Sequence, residues 1–425
     1  MSALETLGQF YAQARLADVP EPALDIMRLC FLDWMIVGRA AKADQVAQAM
    51  LQFAHHQRTE GPSALFFGGS ADPRRASLVN GTISHALDYD DTHFAHIGHV
   101  STVVIPAALA QGQASGASLE QVLRAALLGA EAATRFGVWL GRGHYQIGYH
   151  QTATAGAIGA AVAAGAAANL ADIRGSLSNV AGFAAGLKAQ FGTAMKPVNA
   201  GMAAANGVEA VQMAMAGLSG ASNSLEAFAQ IHHGERDDTA WDALGQRWLF
   251  EGVTHKFYPC CHGTHAMIEA LRQTLPGGPR PEKITVRTHP RWMSVCNKPE
   301  VADALEAKFS YRALAALLVQ NAGATVDEAA LQALFPLSAE TRALMGRVEV
   351  LAQESLGEEE AHVTLKAEGQ HRVATHDLRA PLSFEARLEK LMAKGEGVLA
   401  PGQTTQYWEI LARADLSALS AAIRA

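Results

Sequence analysis

Residues 152–170 read TATAGAIGAAVAAGAAANL, with small side chains at nearly every position. A helix of that composition lets neighbouring backbones approach closely on all sides, so the stretch predicts the central helix of a bundle. A membrane span wants about 20 strongly apolar residues, and Ala and Gly are too weakly apolar for that. The flanking sequence is helical as well. ALDIMRLCFLDWMIVG (23–38) follows Pro22 and sets Leu24, Met27, Phe31, Trp34 and Met35 at helical spacing. Ser118 and Gln121 form a capping box ahead of LRAALLGAEAATRFG. Another Ala/Gly/Met-rich helix, AGMAAANGVEAVQMAMAGL, follows Lys196. The first 240 residues carry no clear strand pattern.

The character changes after Cys261. A short helix, HAMIEALRQTL, runs into a turn at Pro276, Gly277, Gly278 and Pro279. KITVRTH, RVEVLAQ and HVTLKAEGQHRVATHDL alternate as strands do, the last as a hairpin, and the helix YRALAALLVQNA lies between them. From Phe384 the chain returns to helix. This order predicts a mainly α fold, a large all-helical domain with an inserted smaller α+β domain. The expected boundaries are 1–258 plus 390–425 for the helical domain and 259–389 for an α+β lid.

Composition narrows the function. Of 425 residues, 49% are hydrophobic and 18% charged, which excludes a disordered chain. A net charge of −7 leaves no basic face for a nucleic-acid backbone. Four cysteines in so long a chain build no disulfide framework and suit a reducing compartment. The opening MSALETLGQFYAQ has no positive segment before an apolar run, so the expectation is a soluble cytoplasmic protein without a membrane partner.

The densest chemistry is SHALDYDDTHFAHIGHVST (84–102), which holds His85, Asp88, Asp90, Asp91, Thr92, His93, His96 and His99. A helix running through it would put His85, Asp88 and Thr92 on one face. Imidazole beside carboxylate makes an acid/base pair, because the carboxylate fixes the tautomer and raises the imidazole's basicity. Two other readings compete: a solvated loop, and a first-row metal held by His93, His96, His99 and the aspartates. The spacing matches no closed zinc pattern. GRGHYQIGYHQTATAG adds Arg142, His144, Tyr145 and His150, the last at a helix start where free N–H groups favour an anion. Lys196, in FGTAMKPVNAG, is the one charge between Gln190 and Glu209 and calls for either solvent or an anionic partner. KFYPCCHGTH supplies Lys256, Cys260, Cys261, His262 and His265. Bases with cationic anchors and no nucleotide motif suit removal of a proton α to a carboxylate.

NGTISHALDYDDTHFAHIGHVSTVVIPAALA resembles the signature region of the 2-methylcitrate dehydratase (MmgE/PrpD) family, and GYHQTATAG, FGTAMKPVNAG, KFYPCCHGTH and AKFS resemble later blocks in the same order. The family also includes cis-aconitate decarboxylase and iminodisuccinate epimerase. The resemblance implies a helical domain with an inserted α+β lid, a homodimer, a small di- or tricarboxylate substrate, and neither metal nor organic cofactor. It implies catalytic roles for Asp88, Thr92, His99, His150 and Lys196, and for Tyr145 as in the epimerase-like branch. Lys256, Cys261 and Arg142 are the expected substrate-binding residues. Departures are Val100 for a proline, Asn199 and Cys261 where histidines are common, and Ala313 where the decarboxylases carry a tyrosine, with Tyr311 two residues early. The expected activity is a 2-methylcitrate dehydratase-like hydro-lyase. The alternatives are an epimerase or racemase of an iminodisuccinate-like dicarboxylate, a metal-dependent hydrolase or lyase using the His/Asp cluster, and a catalytically silent binding protein.

Overall fold

The computed structural model describes residues 1–15, 19–57, 60–275, 280–324 and 326–425. The turn expected at 276–279 lies outside the described residues. The fold is mainly α with a small sheet, as the sequence predicts. The chain divides into two compact units, Met1–His255 with Phe384–Ala425, and Lys256–Ser383. These divisions stand against 258 and 389 in the sequence reading.

In the first unit the Gln151–Ala167 helix is buried at every position except Ala166. It packs against the helices Ser101–Ser115, Leu119–Ile147 and Met195–Met215. Glycine is what permits this: a Cβ on Gly159 would lie 2.5 Å from Gly129 O, and one on Gly207 2.4 Å from Ala160 Cβ. Helix axes this close leave no room for a side chain at the crossing. Ser118 and Gln121 form the expected capping box. Two short strands, Ser63–Ala64 and Ser70–Ala71, pair antiparallel in the half where the sequence shows no strand pattern. Two-residue strands are too short to generate an alternation that sequence reading can detect.

Buried ions fasten the irregular parts to this bundle. Arg135 Nε donates to Glu131 Oε1 at 2.6 Å, and its Nη1 donates to Ala240 O and Asp242 O at 2.6 and 2.8 Å. Glu131 in turn accepts the backbone N–H groups of Leu249 and Phe250. The Phe384–Glu396 and Gln403–Ala412 helices return to pack on the Glu21–Ala40 helix. There Lys394 pairs with Asp33 and donates to Tyr89 O at 2.7 Å.

The second unit is a four-stranded sheet in the order Val348–Ala352, Lys283–Thr288, Glu360–Ala367, Gln370–Asp377. The first two strands are parallel and the others antiparallel. The hairpin turns at Glu368 and Gly369, both at positive φ (48° and 72°), which is the type I′ pattern suited to strand twist. The His265–Thr274 helix covers the hairpin and the Tyr311–Gln320 helix packs beside it.

Candidate active site

The Pro73–His85 helix stops where Asp88 turns left-handed at φ 50°. No helix runs from His85 to Thr92, so the shared helical face expected for His85, Asp88 and Thr92 does not form. Aspartate tolerates this conformation better than most residues, and the turn re-aims its carboxylate. Asp88 Oδ1 lies 2.5 Å from Lys196 Nζ and 3.4 Å from His99 Nε2. Lys196 sits in the first turn of the Met195–Met215 helix with its ammonium 5.6 Å from the Phe191 ring. The anionic partner sought for this isolated lysine is Asp88.

Behind this pair stands a buried group. His85 Nδ1 donates to both Asp90 oxygens at 2.8 and 3.0 Å, and His99 Nδ1 lies 3.1 Å from Asp90 Oδ2. The His85 ring centroid is 4.4 Å from that of His99 and 6.5 Å from that of His150. Burial works to raise the Asp90 carboxyl, but the two imidazoles outweigh it and hold it well below the usual carboxylate range. His99 N–H donates to Thr152 Oγ1 at 3.0 Å, which ties the loop to the central helix. His150 caps that helix with its ring edge against Phe191, centroids 4.9 Å apart. Burial, with Lys196 beside it, pushes the His150 imidazole well below its ordinary range.

The structure therefore brings Asp88, His99, His150 and Lys196 into one group, joined by His85 and Asp90. Thr92 is intermediate in burial and exchanges backbone hydrogen bonds with Thr254, with their hydroxyl oxygens 3.3 Å apart. The Tyr145 ring lies under the Lys188 ammonium, 3.8 Å away, and Lys188 also donates to Tyr145 O. Arg142 is exposed. Lys256 and Cys261 belong to the second unit, where Lys256 is buried and Cys261 donates its N–H to Lys308 O at 3.0 Å. Tyr311 is fully buried, with its hydroxyl donating to Gly263 O at 2.8 Å and 3.0 Å from Thr288 Oγ1.

Metal-ligand geometry exists in two places among the described residues. Donor atoms of His85, Asp88, Asp90 and His99 lie within 4.8 Å of one another, as do those of Cys30, Asp91 and His255. His93 and His96 belong to neither set, so the three-residue histidine spacing does not make a ligand triad. His93 Nε2 donates to Leu249 O, and His96 packs against Gly137. In the first set the Lys196 ammonium already occupies the side of Asp88 that a cation would take. In the second, burial first, then Arg387 and Lys394, hold His255 neutral, and those two charges oppose a further cation.

So many neutral imidazoles make the fold acid-labile. Burial lowers His93, His99 and His144 to about 4 and His96 to about 3. In the unfolded chain each binds its proton near pH 6.5, so below that pH these groups favour unfolding. Burial raises Asp33 to about 7 and Asp91 to about 6, so those two carboxyls act in the opposite sense. With His150 and His255, which burial also holds well below their ordinary range, six imidazoles set against those two carboxyls leave a net uptake of about four protons on unfolding near pH 5.5, each worth about 1.4 kcal/mol per pH unit. The urea midpoint is expected to fall steeply from pH 6.5 to 5; a midpoint constant over that range contradicts the neutral-histidine interior.

Comparison with known proteins agrees with this frame. The MmgE/PrpD N-terminal domain matches residues 5–234 and the MmgE/PrpD C-terminal domain residues 258–416. Cis-aconitate decarboxylase of Aspergillus terreus is 26% identical over 283 residues, 60% of this chain and 56% of that protein. A cis-aconitate decarboxylase-like protein of Aspergillus oryzae is 26% identical over 294 residues, 63% of this chain and 60% of its own length. The matched region thus spans little more than half of each curated relative. No helix among the described residues is long and apolar enough to cross a membrane. With both domains matched in order, the first over more than half of the chain, this protein belongs to the MmgE/PrpD family.

Proposed function

We propose that this protein is an enzyme that removes a proton α to a carboxylate of a small di- or tricarboxylic acid, acting as a 2-methylcitrate dehydratase-like hydro-lyase. The observation that carries this reading is Asp88 Oδ1 set between Lys196 Nζ and His99 Nε2 at 2.5 and 3.4 Å, beside imidazoles that burial keeps neutral. A carbon acid next to a carboxylate is weak, so catalysis needs an unprotonated base at the C–H and a cation where enediolate charge develops. In this reading His99 Nε2 takes the proton and the Lys196 ammonium holds the carboxylate that gains charge. The C–H electron pair becomes the double bond, the β C–O bond breaks, and the leaving hydroxide collects a proton from the new His99 imidazolium to depart as water. Arg142 is assigned to another of the substrate's carboxylates. Thr92 orders the loop, and Tyr145 is the second proton carrier.

The relatives named for cis-aconitate support a small polycarboxylate as the substrate class. Loss of water is preferred to decarboxylation because Ala313 stands where the resemblance expects a tyrosine, and the Tyr311 hydroxyl is already engaged by Gly263 and Thr288. Proton NMR in D2O with citrate, 2-methylcitrate, malate and aspartate-derived acids tests the reading. Olefinic product is expected: a vinyl proton from citrate or malate, or a methyl group on a double bond from 2-methylcitrate. Deuterium entering the α position without loss of water would replace dehydration by epimerisation, and an unchanged spectrum across the panel overturns the proposal.

A further inference from the structure

Three of the four cysteines, Cys260, Cys261 and Cys296, lie in the second unit, and all three are thiols. They differ in what surrounds them. Cys260 is buried, with its Sγ 3.1 Å from Thr264 Oγ1. The Thr264 hydroxyl gives its own proton to Cys261 O at 2.7 Å, so the Cys260 S–H is the donor to that hydroxyl. Burial pushes the Cys260 thiol up to about 12, which keeps it protonated. Cys296 closes the short Arg291–Val295 helix and is fully buried. Cys261 is half-buried, the one sulfur of the three that solvent reaches.

The segments that carry Cys261 and Cys296 are held against each other from two sides. Gly263 packs on the Trp292 ring so closely that a Cβ there would fall 2.4 Å from Trp292 Cε3. Tyr311 bridges them, its backbone N–H donating to Cys296 O at 3.0 Å and its hydroxyl to Gly263 O at 2.8 Å. Cys261 N–H is tied at 3.0 Å to Lys308 O, in the segment that leads into Tyr311. In this frame the Cys296 thiol faces Cys261. Burial, together with that neighbouring sulfur, raises it well above the ordinary thiol range, while Lys256 acts on it in the opposite sense. An ammonium beside sulfur favours the thiolate, and the effect is usable where an oxidant can enter, at Cys261.

We propose that Cys261 and Cys296 form a reversible oxidative modification site, in which a peroxide oxidises Cys261 and Cys296 closes a disulfide onto it. The Cys261 sulfur attacks hydrogen peroxide: an S–O bond forms, the O–O bond breaks, and the leaving hydroxide takes the thiol's proton and departs as water. The Cys296 sulfur then attacks the sulfenic sulfur. The S–S bond forms, the S–O bond breaks, and the second hydroxide leaves as water with the Cys296 proton. Two thiols lose two electrons and two protons, and the peroxide becomes two waters. Burial keeps peroxide from Cys296 and makes it the resolving thiol. The bond closes a loop around the His265–Thr274 helix and the Lys283–Thr288 strand. This chemistry is independent of the reaction assigned above.

The test exposes the full reduced chain to hydrogen peroxide, blocks the remaining thiols with N-ethylmaleimide and maps the peptides by mass spectrometry. The expected product is a single linked pair, Cys261 to Cys296, with Cys30 and Cys260 left as thiols and all four thiols returned by dithiothreitol. Wild type alone gives this readout, so no variant has to fold. Cys296→Ser removes the resolving sulfur and is expected to raise dimedone capture of the Cys261 sulfenic acid by about tenfold or more. Cys261→Ser is expected to leave Cys296 reduced. Linkage of Cys260 to Cys261, sulfinic acid on Cys261 without a cross-link, four unmodified thiols after peroxide, or equal dimedone capture in Cys296→Ser and wild type overturns the proposal.

Discussion

Lys196→Met is expected to reduce turnover of the polycarboxylate by about 10³-fold or more, since loss of one preorganised electrostatic donor alone typically removes about 10²–10³. Methionine keeps most of the apolar stem and deletes the ammonium together with its approach to the Phe191 ring, while the packing of Phe191 on His150 does not involve the lysine. Two effects then add. The enediolate loses its cation, and Asp88, whose carboxylate meets that ammonium at 2.5 Å, is left to repel the substrate's own carboxylate. Both kcat and KM should suffer. A double-mutant cycle with Asp88→Asn separates the contributions. If Lys196 serves only to hold Asp88, adding Lys196→Met to Asp88→Asn changes nothing further. If it also grips substrate, the double variant is slower than Asp88→Asn. Lys196→Met activity within about fivefold of wild type would remove the cation from the mechanism.

What the sequence reveals about this site follows from how local each signal is. The central helix is legible because small residues at every position state their own burial, and the hairpin because Glu368-Gly369 sits between alternating strands. The His/Asp stretch is legible as a concentration of chemistry, but not as an arrangement. Its residues separate by the path of the backbone: the helix ends at His85, Asp88 adopts positive φ, and a tight loop closes where His93 N–H donates to Gly98 O. That path, rather than any periodicity, turns Asp88 to Lys196, Asp90 to His85, and Asp91 to Ser101. Three aspartates of one short segment thus acquire three different partners. Sequence proximity groups Tyr145 with His150. In the fold Gly141 kinks the helix at φ 73° and a Tyr149–Leu187 bridge brings Lys188 to the tyrosine ring. Asp33 with Lys394 and Cys30 with His255 are legible in no local pattern, since each joins residues more than 200 positions apart.

The largest stability effect is expected away from the chemistry, at Arg135. Its guanidinium is fully buried, yet it holds Glu131 and donates to three backbone carbonyls, those of Ala240, Asp242 and Arg247. These contacts and the two N–H groups that Glu131 accepts are what fasten the Asp238–Gly252 stretch, two short 3-10 turns and the loop between them, to the bundle. Burial raises the Glu131 carboxyl above its usual range, and Arg135 together with the Phe250 and Leu249 N–H groups offsets only part of that rise. Arg135→Met fills the space but strips the carboxylate of its cation and leaves the three carbonyls without donors. Breaking a buried pair from one side costs about 3–5 kcal/mol, a large share of the 5–15 kcal/mol that holds a typical domain together. Removing both charges together, Arg135→Met with Glu131→Leu, eliminates the stranded ion but not the orphaned backbone groups, so only part of the loss should return. Urea unfolding of the three variants measures this. The stretch leads directly into Thr254, whose backbone pairs with Thr92, so partial loosening should reach the His/Asp loop before the bundle melts. Hydrogen exchange is therefore expected to rise first at 238–254 and 92–99 in Arg135→Met. Uniform protection across the helical unit, with an unfolding free energy within about 1 kcal/mol of wild type, would mean that the buried pair fastens nothing.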